Sequence, residues 1–572
     1  MFKLRSVCVL CAMAGSLWAA GDDFEILEFK VDSSVKLPCA SQEAHEAWKD
    51  KRFGMFIHWG PISQLGKQLG HGRNSPSHRT GGKPYKVSTL EPEVYDAQYK
   101  TFNPAQFDPD EMMQMAKRAG VGYVVFTTKH HAGFSMFDSA VTDYDMASTP
   151  YKKDITKMFS DACRRNGIDF GIYYSPRDWH HPDCDSDHHH DRYIRFYKQQ
   201  MGELLTKYGS IYEVWFDGLG PGSWGNTSRE IMGTIRHLQP DAMVNDRGGA
   251  GADFYTPEHT ISYFNRDHNW EACHTTTGQW GYNPNEGPKK LDRLMEILLY
   301  TWGGDGNVLL NIGPMGDGTV NPVERERFEQ LADWWSIHGE ESIRGSRGGP
   351  YLPGPWGVTT CKEKRVFLHI FRWPENGGLQ FQKLQGLKFK SARLLSGGEV
   401  DVVRNPTGYS VNVAPSVRQK IVTTVELSFD GETVPVEPLP RKTLLMSKAR
   451  LAASHNQDLL KNLTDQNAAT CWTAALKEAD EVLWVEAAFD EPVTVASFNV
   501  ARGDEWSSPN VVELQVPDGS KGWKTISPKN FKLKWETMKF LDQPVTSDRF
   551  RLAVSGTQKF VVAEFELFPP VD

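Results

Sequence analysis

Between about Trp48 and Ile343, short β-branched and aromatic runs alternate with longer amphipathic segments, a rhythm that parallel βα units satisfy and few other folds do. The runs are Phe53–Trp59, Gly122–Thr128, Asp169–Ser175, Ile211–Asp217, Ala242–Arg247, Thr260–Asn265 and Val308–Gly313. The helices between them are punctuated. Asp108-Pro109-Asp110-Glu111 reads as a capping box with proline in the first turn, Met112, Met115 and Ala116 give a core-facing stripe, and Gly120 stops the helix. Seven or eight such units fit a (β/α)8-type barrel better than an open doubly wound sheet, and no GxGxxG follows the first run.

After Ser346–Pro350 the helical signal stops, and runs at Val366–Phe371, Gly378–Leu384, Ala392–Leu395, Tyr409–Val413 and Ile421–Phe429 are divided by Gly, Pro and Asn. That pattern predicts a small β-sandwich. A second all-β stretch follows the linker Pro438–Arg441. Its segments Asn462–Trp472 and Leu483–Phe489 resemble the discoidin-type jelly rolls, which implies a carbohydrate-binding module. The expected division is therefore a signal peptide over 1–20, a catalytic barrel over 21–345, a β-sandwich over 346–447 and a discoidin-like β-module over 448–572.

The signal peptide is read from Lys3 and Arg5, the apolar run Val7–Trp18 and the small residues Ala19 and Ala20. No later stretch is apolar for the length of a membrane span. Export to the periplasm follows as an expectation. Six cysteines remain after cleavage, far apart and without a CxxC pair, so buried thiols are expected rather than a disulfide framework or a zinc site. A formal charge of −8 and the lack of a Lys/Arg-rich run disfavour nucleic acid as a partner. Aromatic residues make up 12% of the chain, a surplus suited to stacking against sugar rings.

Active sites of parallel barrels lie at the C-terminal ends of the strands, so polar residues closing apolar runs are the first candidates. Five runs close in this way, with His58-Trp59-Gly60, Lys129-His130-His131, Tyr173-Tyr174-Ser175, Trp215-Phe216-Asp217-Gly218 and Asn245-Asp246-Arg247. Adjacent residues on an extended strand point to opposite faces, so His130 and His131 are not expected to share a metal, and no cofactor is expected. The histidine-rich segment Trp179–Asp191 reads as a solvated loop.

These segments resemble glycoside hydrolase family 29, the retaining α-L-fucosidases, across nearly all of Trp48–Ile343. The stretches that carry the resemblance are Phe53–Gly60, Phe126–Phe134, Trp215–Gly218, Trp270–Cys273 and Trp280-Gly281-Tyr282. It implies hydrolysis of terminal α-L-fucosyl residues of a fucosylated glycan, with Asp217 as nucleophile and Glu271 as acid/base. It also implies that His58, Trp59, His130, His131, Tyr173 and Arg247 hold the sugar between Trp215 and Trp280.

Glycoside cleavage needs one ionised carboxylate and one protonated carboxyl, about 5–5.5 Å apart in retaining enzymes and some 6.5–9.5 Å apart in inverting ones. Glu271, expected in a loop beside Trp270, would be kept protonated by burial. Glu258, in Thr256-Pro257-Glu258-His259, is its rival. Family members often carry a Glu-Trp pair after the first strand, and Gly66–Arg79 has none. An α-L-galactosidase and a non-catalytic carbohydrate-binding protein are the alternative readings.

Overall fold

The computed structural model describes residues 37–570 apart from 75–78, 81–82, 85–89, 186–187, 189, 221, 260–263, 267, 375–377, 407, 432, 435–438, 440–444, 466–469, 476–481, 503–510, 520–521, 528–535 and 556–558. The signal peptide expected over 1–20, most of the linker Pro438–Arg441 and part of the run Thr260–Asn265 lie outside the described residues.

Seven parallel strands form one curled sheet: β1 Phe53–Ile57, β2 Tyr123–Lys129, β3 Asp169–Tyr174, β4 Glu213–Phe216, β5 Met243–Val244, β6 Glu271–Thr275 and β7 Asn307–Ile312, in the order β5-β4-β3-β2-β1-β7-β6. Apart from Asp169, every residue of these strands is buried, as a parallel sheet covered on both faces requires. The sheet is a half-barrel rather than a ring of eight regular strands. Its edge strands β5 and β6 approach each other through residues 254–258, which make only isolated parallel bridges, Asn245 with Phe254, Tyr255 with Trp270 and Glu258 with Cys273.

Two differences from the sequence reading matter for the site. Strand β5 ends at Val244 because the Asn245 carboxamide takes over the ladder, accepting from the Phe216 N–H at 2.8 Å and donating to the Phe216 carbonyl at 2.9 Å. Glu271, expected in a loop, opens strand β6.

The helices follow their caps. Asp108 accepts from the Glu111 N–H at 3.0 Å, Pro109 begins the helix Pro109–Arg118, and Met112, Met115 and Ala116 are buried under it. Gly120 adopts a φ of +90°, where the Trp335 ring leaves no room for a Cβ.

Beyond Arg347 all sheets are antiparallel. A five-stranded and a three-stranded sheet enclose a core that includes Val366, Leu368, Val411, Val425 and Leu427. From Arg450 to Phe568 the long strands Leu483–Arg502 and Glu536–Ser555 pair around Leu463, Trp472, Phe498 and Phe565. This last sheet packs onto the rest of the molecule. Ala501 and Ala563 meet Phe264 and Leu352, and the Arg372 guanidinium stacks 3.7 Å from the centre of the Phe540 ring. None of the six cysteines described forms a disulfide. Cys163, Cys184, Cys273 and Cys361 are buried as expected, Cys471 is half-buried, and Cys39 is exposed because it lies in the extended segment before the first helix.

Candidate active site

The C-terminal ends of β1 to β5 bring His58, His130, Ser175, Asp217 and Asn245 to one mouth, each directly after its strand. Asp217 is the hub. Its Oδ2 accepts from the Tyr173 hydroxyl at 2.9 Å and lies 3.4 Å from His131 Nε2, and its Oδ1 lies 3.2 Å from Arg247 Nη1. Burial alone would raise this carboxyl, but the His131 hydrogen bond and the charges of His131 and Arg247 hold it well below the usual carboxylate range. The same Arg247 Nη1 lies 3.2 Å from Glu258 Oε2. One guanidinium nitrogen therefore bridges the two acids, and the facing oxygens of Asp217 and Glu258 are at most twice 3.2 Å apart. That upper bound falls between the two spacings that distinguish retaining from inverting chemistry.

Around this pair the walls are aromatic. Tyr173 stacks on Trp215 with ring centres 5.6 Å apart and on His130 at 5.4 Å, and Arg247 lies 4.8 Å over the Trp215 ring. Trp280 packs against His58 at 4.9 Å and against His259 at 4.8 Å. His58 donates from Nδ1 to Asn311 at 2.7 Å, and burial lowers it to about 4, so at neutral pH the ring is uncharged. Burial, with His131 next to it, also drives His130 well down. Asn311, and Ser175 beside His131, orient the imidazoles. Sequence reading did not single out Asn311, although an amide inside the apolar run Val308–Gly313 is the kind of signal that could have found it.

His130 and His131 do not diverge. Strand β2 ends at Lys129 after an irregularity in its pairing with β3, the chain turns with Gly133 N–H bonding His130 O, and the two rings converge to 4.4 Å. The strand-alternation argument therefore fails here, because neither residue is in the strand. Ligand atoms of His130, His131 and Asp217 lie within 4.8 Å of one another, a donor set that a zinc-like ion accepts. Tyr173 and Arg247 already engage the two Asp217 oxygens.

Two residues expected at the site are elsewhere. Trp59 is fully buried on the other side of β1, packed on Phe107 at 4.9 Å and donating to the Met315 carbonyl at 3.0 Å. His58 faces the mouth, packed on Trp280, while the next residue, Trp59, enters the layer between sheet and helices. Glu271 stands at the N-terminal end of β6, the far end of the barrel, and is fully buried. It accepts from the Tyr123 hydroxyl and from Trp215 Nε1 at 3.2 Å, and it is paired with Glu213, the first residue of β4. Four residues of strand, roughly 13 Å, separate Glu213 from Asp217. Glu258 enters the mouth in place of Glu271. Two side chains outside the sequence-derived set also line it, His71 and Trp179, with ring centres 5.6 and 4.8 Å from His131.

A family model described as α-L-fucosidase matches residues 32–340. Plasma α-L-fucosidase of Pongo abelii is 28% identical over 370 residues, which are 58% of this chain and 78% of that protein. Tissue α-L-fucosidase of Mus musculus is 27% identical over 374 residues, 58% and 79% of the two chains. Among solved structures, α-L-fucosidase isoenzyme 1 from Paenibacillus thiaminolyticus superposes with a TM-score of 0.60 at 30% identity, covering 68% of this chain and 99% of that one. A family 29 α-L-fucosidase from Bacteroides thetaiotaomicron, trapped as a covalent intermediate with 2-fluoro-fucosyl fluoride, superposes with a TM-score of 0.61 at 25% identity over 71% and 100%. The family model spans more than half of the sequence, its relatives align over most of their own length, and the chain belongs to the α-L-fucosidase family.

Proposed function

We propose that Asp217 and Glu258 are the catalytic pair of this enzyme, Asp217 as nucleophile and Glu258 as acid/base. The chain is an exo-acting retaining α-L-fucosidase that releases terminal α-L-fucosyl residues from glycans. In the first step an Asp217 oxygen bonds to the anomeric carbon while the glycosidic C–O bond breaks, and the Glu258 proton goes to the leaving oxygen. In the second step Glu258 takes a proton from water, whose oxygen displaces Asp217 and releases fucose. The observation that carries the assignment is Arg247 Nη1, 3.2 Å from both carboxylates. It ties them into one unit and favours the ionised form of Asp217. Tyr173, His58, His130 and His131 would take the sugar hydroxyls, and Trp215 and Trp280 would cover its apolar parts.

The test is to trap the intermediate. Incubation with 2-fluoro-fucosyl fluoride should place the label on the peptide containing Asp217, and hydrolysis followed by NMR should yield the α-anomer first. A label elsewhere, or first formation of the β-anomer, would overturn the pair.

We also infer that the protein is exported, from residues 1–20, and that the β-module over 448–572 binds carbohydrate. What supports the second reading is the resemblance of Asn462–Trp472 and Leu483–Phe489 to discoidin-type modules, together with a separate core beneath them. Binding of this module alone to fucosylated polymer, or its failure to bind, decides that reading.

A further inference from the structure

The turn that follows strand β3 is tied to the end of strand β2 by a buried charge. Lys129 closes β2 and is fully buried, while His130 and His131 after it stand at the mouth. Its ammonium has three N–H groups and three partners in different directions: Asp178 Oδ2 at 3.2 Å, the Arg177 carbonyl at 3.4 Å, and the face of the Tyr174 ring, 4.6 Å from its centre. Asp178 is buried too. Its Oδ1 accepts from the His180 and His181 N–H groups at 2.9 Å each, and its own N–H donates to Cys184 Sγ at 3.2 Å. Burial alone would raise this carboxyl, but the charge of Lys129 and the His181 N–H hold it below the usual carboxylate range.

A buried ion pair rarely gains stability over apolar residues of similar volume, so the property to explain is its fixed geometry. Two chains of hydrogen bonds lead from it to the nucleophile. In the first, the Arg177 carbonyl that Lys129 holds also accepts from the Ser175 hydroxyl at 2.7 Å, Ser175 Oγ lies 2.5 Å from His131 Nδ1, and His131 Nε2 faces Asp217 Oδ2 at 3.4 Å. In the second, Arg177 Nε donates at 2.8 Å to the carbonyl of Gly218, the residue after Asp217. The backbone closes the same turn onto β2, with Ser175 N–H on the Lys129 carbonyl at 2.9 Å and Trp179 N–H on the His131 carbonyl at 2.7 Å. We propose that Lys129 and Asp178 are a positioning pair that fixes Ser175 and Arg177, and through them holds His131 and Asp217 in the geometry that attack on the anomeric carbon requires. This inference rests on the reading of Asp217 as the nucleophile of a fucosidase.

The experiment is the rate at which 2-fluoro-fucosyl fluoride labels Asp217 in the full chain and in a variant combining Lys129→Met with Asp178→Asn. Removing both charges together leaves no unpaired buried ion, and asparagine keeps an oxygen for the His180 and His181 N–H groups. Fluoride leaves with little help from a proton, so the rate at saturating reagent reads the nucleophile. That rate constant should fall at least about tenfold, the scale of a displaced reacting group. A pair that served stability alone would lower the melting temperature and the fraction of protein labelled, but not the rate constant of the fraction that is folded. A smaller fall in the rate constant would therefore overturn the proposal. If the double variant does not fold, Ser175→Ala cuts the first chain one step from His131 and is held to the same tenfold criterion. Failure of the unmodified chain to take the label on Asp217 would instead overturn the nucleophile reading, so the two failures are distinguishable.

Discussion

Strand β4 carries a carboxylic acid at each end of the barrel, and the two ends treat it in opposite ways. At the mouth Asp217 meets Arg247, His131 and the Tyr173 hydroxyl, and it is held well below its ordinary range. At the base Glu213 meets a second acid, Glu271, among Trp48, Tyr123 and Trp215, which donate hydrogen bonds and bring no charge. Burial and the neighbouring Glu271 raise Glu213 well above the usual range, and burial pushes Glu271 up to about 7. Both sites pair carboxyl groups. The mouth compensates its pair with a cation and the base with a shared proton. Only the first arrangement keeps a carboxylate ionised, as the proposed nucleophile must be. The base pair fixes the floor, because Glu271 holds the Trp215 indole on which Arg247 and Tyr173 rest.

The sharpest way to break this comparison is to remove one acid from each end. Asp217→Gly should lower kcat/KM by at least about 10⁴-fold, with azide restoring part of the turnover by occupying the emptied space. Glu213→Gln should leave turnover within about tenfold, since no reacting atom meets that side chain. Comparable losses in the two variants, measured on one aryl fucoside, would erase the distinction between mouth and base.

A smaller effect separates the two glutamates. Glu258→Ala should cost about 10²–10⁴-fold on substrates with poor leaving groups and far less on activated aryl fucosides, because the proton it supplies matters only to the former. Glu271→Ala should lose equally on both. A leaving-group dependence in Glu271→Ala but not in Glu258→Ala would return the acid/base role to Glu271.

Why the sequence misplaced these residues is physical. Asp217, His58, His130 and Arg247 stand at or just beyond the ends of apolar runs, and the end of a parallel strand has one chemical meaning in a barrel. Glu271 begins its strand, and residue type does not say which end of a strand a carboxylate occupies. The run Glu271–Thr275 alternates acid, small and polar residues, so nothing marks it as a buried strand until Tyr123, Trp215 and Glu213 are seen around it. Glu258 lies on a segment with isolated bridges and no periodicity. Trp59 was drawn into the site by adjacency to His58, but its ring packs on Phe107 and Phe102 away from the mouth.

The contrast in charge can also be tuned. The His131 hydrogen bond leads the interactions that lower Asp217, so His131→Phe should move the acid limb of the kcat/KM profile toward higher pH by about one unit. An unmoved limb in a folded, active variant would show that Arg247 and the remaining neighbours suffice.

The smallest effect lies at the base and reads stability rather than rate. A carboxyl raised in the folded state keeps a proton that the unfolded chain gives up above its ordinary value of 4.5. Folding therefore takes up a proton in that range, and stability is greatest below about 4.5 and falls as the pH rises toward 7, the value to which Glu271 is pushed. Each proton taken up contributes a slope of at most about 1.4 kcal/mol per pH unit. Glu213→Gln keeps an oxygen for the Trp48 indole and a neutral donor for Glu271, so the fold needs one proton fewer. Its urea midpoint, followed by tryptophan fluorescence between pH 5 and 7, should vary less with pH than that of the unmodified chain. Parallel pH dependence in the two would mean that Glu213 is ionised in the folded protein, and the distinction between a cation-bridged and a proton-bridged pair would fall.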